Sequence, residues 1–532
     1  MKSERRATEP IEKGRTTRLH AVPPRDVSLK RRRRRPLLIG GLVLVALLII
    51  ITVLLGKEWP FTEPRALAEL GQASQSTVTT KNFRETFFPH PGCVLEDVTL
   101  RSEGETRNSG AVLTAKKLTI QGSYSGLLSR SVPMIRVEGA HVVLPPLGTG
   151  QRMFQGTSGR SKTTVGEIVA DGTIIDVTSR VPGKPPLHFE VRKLAIHNPG
   201  GGRVMSIEVE GLNPSPPGMV KANFRLGPWQ EQTPEQTRVS GTYSYQNAKL
   251  GVFNGIAGSL SSRGTFDGSI NQLRVRGSTD VPDFEVTRSG HRVHLTADFD
   301  AFVDATAGDV TLRSVNAHWG HTTVLASGTI GRTPDHKSRA AELNAAVRNG
   351  RIDDVLFLFV QAPKSPLAGE TNFETKIEVP SGRRSFLQKV ELDGNFVISG
   401  ARFTNANTQA RVDKLSAQAR GQKNLENAAP VVTDWEGHVL LRDGSARFTP
   451  LRLRVPGAAT RLQGTYTLQN QRVDLHGMLY LQVKLSQTTS GIKAILVKPL
   501  EPFLKKDRRG GAKMPVGVSG TYSRPSFHED PI

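Results

Sequence analysis

The feature that most restricts this chain is a period of two. In Leu475-His476-Gly477-Met478-Leu479-Tyr480-Leu481-Gln482-Val483-Lys484-Leu485 the odd positions are Leu, Gly, Leu, Leu, Val and Leu. In Leu451-Arg452-Leu453-Arg454-Val455 apolar and cationic residues alternate. Residues two apart share one face of a strand, so these segments predict a sheet with one apolar and one polar side. From about Gly92 onward such runs follow one another between Gly, Asn and Asp-Gly breaks. They include IRVEGAHVVLP, EIVADGTIIDVTS, KANFRLG, QLRVRGST, DVTLRSVNAHW and TVLASGTIG. Asp171-Gly172 reads as a hairpin turn. The pattern predicts roughly 20–25 strands in one long meander without a fixed-length repeat. A second sheet, closure into a barrel, or lipid in an open twisted groove could each cover the apolar side, and the patterning does not choose among them.

Composition narrows the classes. Hydrophobic residues make up 37% of the 532 and Gly adds 52 more, which excludes a wholly disordered chain. A single Cys excludes a disulfide framework and a multi-Cys metal site. Cys93 reads as a buried or half-buried free thiol. The net charge of +23 is uneven: residues 1–36 hold 13 Lys/Arg against 4 Asp/Glu, a net +9. That segment reads as a disordered basic tail and carries Arg31, Arg32, Arg33, Arg34 and Arg35. Leu37 to Gly56 follow, 20 residues without a charge. As a helix they would span about 30 Å, a bilayer's hydrocarbon core. The arginines then set orientation, with the N-terminus cytoplasmic and the bulk on the far side, the periplasm in a bacterium. The run exceeds a signal-peptide core, and GKEWP offers no small-x-small cleavage site.

The remaining chain reads as a helical connector over 57–91, with a helix over 62–75, a β region over 92–349 and a C-terminal β module over 350–532. Helices are expected at Ile352–Val360 and Thr489–Leu504. Both read as core-packing caps of sheet ends, with a plug or membrane-contacting helix at the end of a groove as the alternative. The net +14 beyond residue 36 (58 Lys/Arg, 44 Asp/Glu) is thinly spread, so nucleic acid is not an expected partner.

No constellation for catalysis stands out. The chain has no G-x-S-x-G and no H-E-x-x-H. Gly156–Thr163 has Ser161 in place of a phosphate loop's second Gly and reads as a flexible loop. His291 and His294, three apart on a strand, point to opposite faces and read as solvent-facing, as do His318 and His321. Asp353-Asp354 suit a helix N-terminus. The expectation is no enzyme, no cofactor and no metal.

The stretch from Gly350 resembles the AsmA-like family of bacterial envelope proteins. The pieces that carry the resemblance are GRIDDVLFLF, PLAGETNFETKIEVPSG, VELDGNFVISGARFTNANTQARVDKLSAQARG, GHVLLRDGSARFTPLRLRVPGAATRLQGTYTL, HGMLYLQVKLSQTTSGIKAILVKPLEPFLKK and MPVGVSGTYSRPSF. HPGCVLEDVTL with MIRVEGAHVVLPP resembles the family's N-terminal module. The resemblance implies a mainly β protein with one N-terminal transmembrane helix, a few short helices and an elongated, twisted, antiparallel β-sheet groove. It further implies an inner-membrane anchor and a role in phospholipid transport or outer-membrane lipid homeostasis, with outer-membrane proteins as further partners. The alternative is a non-transporting scaffold that assists envelope protein assembly. Alternation makes Leu451, Leu453, Val455, Leu462, Leu479, Leu481 and Val483 the expected lipid-facing residues.

Overall fold

The computed structural model describes residues 59–74, 76–102, 112–144, 163–178, 185–200, 202–230, 232–332, 339–382, 384–422, 428–482, 505–506, 512–521 and 524–528. The chain divides into two units, Met1–Trp59 and Pro60–Ile532, and every described residue but Trp59 belongs to the second. Among the described residues no helix is long and apolar enough to cross a membrane. The expected span over 37–56, Arg31–Arg35, Val483, the expected helix Thr489–Leu504 and most of the Gly156–Thr163 loop lie outside them.

The described strands form one twisted, mixed sheet of 26 strands. β1 (Ser76–Thr79) and β2 (Asn82–Thr86) both pair with β3 (Gly92–Ser102). Residues 57–91 are therefore not wholly helical. Their helix, α1 (Glu63–Ser74), runs through Gly71 to Ser74, and the two strands follow it. Next come β4 (Val112–Gln121), α2 (Tyr124–Ser129), β5 (Ser131–Leu144), β6 (Thr164–Val177), β7 (Leu187–His197), β8 (Met205–Pro214), β9 (Pro217–Leu226) and β10 (Arg238–Lys249). Then follow β11 (Ile256–Ala257), β12 (Ser259–Ser269), β13 (Gln272–Val286), β14 (Arg292–Asp304), β15 (Asp309–Trp319), β16 (Thr322–Arg332) and β17 (Arg339–Arg351). The last third holds α3 (Ile352–Phe357), β18 (Leu367–Pro380), α4 (Phe386–Lys389), β19 (Glu391–Phe403), α5 (Ala406–Ala419), β20 (Thr433–Arg442), β21 (Ser445–Val455), β22 (Ala458–Thr467), β23 (Arg472–Leu481), β24 (Lys505–Lys506), β25 (Ala512–Thr521) and β26 (Arg524–His528). From β3 to β26 the long strands pair in sequence order. The short β11 and β24 sit beside β13 and β25. The sheet runs unbroken across residues 349–350, because β17 spans them.

The chain departs from a meander at one point: β5 and β6 are parallel. The expected hairpin at Asp171-Gly172 is also absent, because β6 runs straight through it. Its backbone explains why a turn sequence sits inside a strand. The ladder register skips Asp97, Lys116, Gly139, Gly172 and Arg192, one residue in each of β3 to β7. Asp97, Gly139 and Gly172 have φ of 52°, 61° and 65°. A Cβ on Gly139 would come 2.9 Å from the Lys116 side chain. The aligned extra residues crease five strands together, and at β8 the offset is absorbed as a bulge opposite Arg192. By contrast, Asp443-Gly444, with φ of 49° and 73°, makes the two-residue hairpin its sequence implies.

Candidate functional site: an uncovered apolar face

The alternation adds up across strands. One ladder of paired residues crosses the sheet through Cys93, Ile120, Ile135, Ile168, Ile196, Ile207, Phe224, Gly241, Phe266, Val275 and Ala301. It continues through Leu312, Gly328, Leu343, Ile377, Leu392, Leu441, Ala446, Tyr466, Val473, Gly520 and Pro525. None of these positions carries a charge. At about 4.8 Å per strand the row is roughly 100 Å long. One residue over, the row is Glu167, His197, Ser206, Arg225, Ser240, Asp267, Arg274, Phe302, Thr311, Thr329, Glu342, Glu378 and Glu391. The sheet is therefore apolar on one face and polar on the other.

Burial shows how little of the described chain covers the apolar face. Among the described residues between Ala170 and Val281, a span of seven long strands, the buried hydrophobic residues are Ile207, Ala248 and Leu250. Phe224, Phe266, Val275 and Leu343 are half-buried, as side chains packed only by their neighbours in the sheet would be. A sandwich of this length would bury such positions fully. All described strands belong to a single sheet, so no separate second sheet lies over this face among the described residues.

Coverage appears locally at one row of strand ends. There α3 sets Val355 and Leu356 against Leu367, Ile398, Ala401, Phe403 and Trp435. Asp354 fixes this helix, its carboxylate accepting from the His321 amide at 2.6 Å and the Thr322 hydroxyl at 3.0 Å. Further along, α5 brings Ala419 onto Ala458, Leu479, Leu481 and Met514. Asn405 caps α5 through the Thr408 amide. The Asp413 carboxylate accepts from the Val431 amide at 2.9 Å, and the Ser416 hydroxyl donates to the Pro456 carbonyl at 2.7 Å.

The residues expected to face lipid are sorted by this geometry. Leu451 pairs with Leu462, Leu453 and Leu479 both pair with Thr460, and Val455 and Leu481 both pair with Ala458, so all six lie on the apolar face. Leu451, Leu462, Leu479 and Leu481 are nevertheless buried, the last two beneath the end of α5 with Val455 packed alongside. Leu453 and Val455 remain half-buried. The long uncovered stretch lies upstream, in β7 to β16, where sequence reasoning named no site residue. The signal was present in KANFRLG and QLRVRGST but was diluted by Gly241, Gly264, Gly277 and Gly328 on the apolar side.

The two rims of the sheet, each made of strand ends, touch at two points. The Asn254 carbonyl, between β10 and β12, accepts from the Phe386 amide at 2.8 Å. The Arg288 guanidinium, at the β13–β14 turn, donates to the Gln469 carbonyl at the β22–β23 turn. These are opposite ends of antiparallel strands many steps apart. Twist of about 20–25° per strand accumulates until one lip reaches the other. Gly255 allows the approach: its φ is 103°, and a Cβ would lie 2.8 Å from the Phe386 nitrogen.

The polar face is laced with ion pairs. Asp300 receives Arg274 at 2.6 Å, with Arg276 and Arg313 at 3.7 Å, and the Arg274 hydrogen bonds hold its carboxyl below the usual range. Asp176 lies between His141 at 2.7 Å and His188 at 2.8 Å, and the His141 hydrogen bond likewise lowers its carboxyl pKa. His294 pairs with Asp280 at 2.6 Å on this face. His291 is not solvent-facing as expected: it stacks on Phe357, with centroids 3.9 Å apart. Among the described residues no group of three or more His, Cys, Asp or Glu is placed to hold a metal. An open hollow of about 760 Å³ on the polar face is lined by residues such as Asn316, Ser327, Asn344 and Lys376. Cys93 is fully buried, and burial, aided by Glu85, pushes its thiol up to about 12. No protein-family model, curated protein or solved structure matches the chain.

Proposed function

We propose that the uncovered apolar face shelters phospholipid acyl chains while the headgroups stay in water. In this reading the chain is a membrane-anchored envelope protein that moves phospholipid or maintains outer-membrane lipid. The uncharged ladder from Cys93 to Pro525 carries the proposal, because it gives hydrocarbon an apolar path about 100 Å long. The 20-residue uncharged run behind five arginines supports the anchor, as does the resemblance to the AsmA-like family.

A photo-crosslinking residue at Val275 or Leu343 of the full-length protein in cells tests this. Phospholipid adducts are expected there and not from Thr329 on the polar face. Equal labelling from both faces, or none from either, overturns the proposal. The scaffold reading draws on one observation, the closure of Leu479 and Leu481 by α5. It predicts protein adducts from Val275 and Leu343.

A further inference from the structure

Among the described residues the most exposed large apolar side chain lies at the sheet's first end. Phe88 is 86% exposed, beside Phe87 at 58% and Tyr124 at 54%. Elsewhere in this region the apolar side chains turn inward: Leu95 and Cys93 are fully buried. The aromatic group is held in place. The Tyr124 hydroxyl donates to the Phe87 carbonyl. The Gly122 amide donates to the Pro91 carbonyl at 2.6 Å, and Ser123 caps α2 through the Gly126 amide. Phe61 is buried beneath this corner, and a Cβ on Gly122 would lie 2.6 Å from its ring.

Chain length determines what this corner can reach. The uncharged run ends at Gly56, five residues before Phe61. Five residues extend at most about 18 Å. If residues 37–56 span the membrane, the corner on Phe61 cannot be far from the bilayer surface. Tyr is favoured in that zone, and exposed Phe rings bury at the same headgroup–acyl boundary.

We infer that Phe87, Phe88 and Tyr124 form a membrane-seating knob that inserts into the headgroup region of the anchoring bilayer and holds the first strands against it. The inference rests on the anchor in the proposed function. It adds a direction: β3 to β5 are the end of the apolar face where a phospholipid would enter.

The test uses the full-length chain reconstituted into phosphatidylethanolamine/phosphatidylglycerol vesicles. Phe88→Cys carries an environment-sensitive fluorophore, and buried Cys93 does not compete for the label. Phe253→Cys, between β10 and β12, is the comparison site at similar chemistry and 47% exposure. The expected result is blue-shifted emission from position 88, quenched by lipids brominated near the headgroup, with water-like emission from position 253. Water-like emission at 88 from protein that resists alkaline extraction overturns the knob and leaves the anchor intact. Equal quenching at both sites also overturns it, since the sheet would then lie flat on the bilayer. Release of the chain by alkaline extraction overturns the anchor and the knob together.

Discussion

A single lysine placed at two points of the apolar face should have opposite consequences. Leu481 is 6% exposed and packs on Ala419, Ala458, Leu479 and Met514 under the end of α5. Truncating such a leucine costs about 2–5 kcal/mol. A lysine there also buries an unpaired ammonium, so Leu481→Lys should lose more than about 3 kcal/mol. Leu343 lies on the same face but is half-buried, with Gly328 and Ile377 beside it in the ladder. A lysine at 343 can lay its methylenes along the neighbours and keep its ammonium in water, for a cost near 1 kcal/mol. Urea unfolding of the full-length variants, followed by far-ultraviolet circular dichroism, compares them directly. Leu481→Lys should shift the midpoint strongly and Leu343→Lys barely. If the face carries lipid, Leu343→Lys should also strip co-purifying phospholipid from a protein that remains folded. A Leu343→Lys variant as unstable as Leu481→Lys would refute the reasoning, because protein would then have to cover the face at Leu343.

Three further outcomes follow from the geometry. Asp354→Ala removes the acceptor shared by the His321 amide and the Thr322 hydroxyl. It should destabilise by about 1–3 kcal/mol and expose α3 to limited proteolysis first. The folded-state pKa of Asp300 lies below its unfolded value, so the stability it contributes is present above the unfolded value near 4 and lost as pH falls through the folded one. Thermal melts between pH 5 and 2 should therefore show a shallower acid-side decline for Asp300→Asn than for the parent. Gly255→Val puts a branched side chain where a Cβ already meets the Phe386 backbone at a φ of 103°. It should part the two rims, read as faster amide exchange at Phe386.

The sheet and its two faces were legible because the alternation is local. Each strand carries its own record of which residues turn inward, and DVTLRSVNAHW corresponds to β15 from end to end. What the sequence hid depends on residues far apart or on weak signals. Asp171-Gly172 has turn chemistry, but Gly172 uses its positive φ to continue a crease that also needs Gly139 and Asp97. α5 gave no hydrophobic periodicity, because its buried face is Asp413, Ser416, Ala417, Gln418 and Ala419. Its small residues let a helix lie close on Leu479 and Leu481, while Asp413 bonds to Val431 and Ser416 to Pro456. The meeting of Asn254 with Phe386 rests on accumulated twist, which no single segment records.

The distribution of coverage bears on how the sheet can be stable and open at once. Helices α3 and α5 lie over strand ends, while the middle of β7 to β16 keeps half-buried Phe, Val and Leu side chains. Backbone ladders, the ion pairs around Asp300 and the seam at Phe386 make contacts that do not require the apolar face. Glycines at Gly241, Gly264, Gly277 and Gly328 keep parts of that face low. A protein that needed the face for its own core would place large side chains there and a layer over them. This one secures its ends and seam and keeps the middle half-buried, which is the arrangement the proposed lipid-holding role requires. Binding to that surface would stabilise the folded chain by mass action, so a phospholipid-loaded sheet should melt above a stripped one.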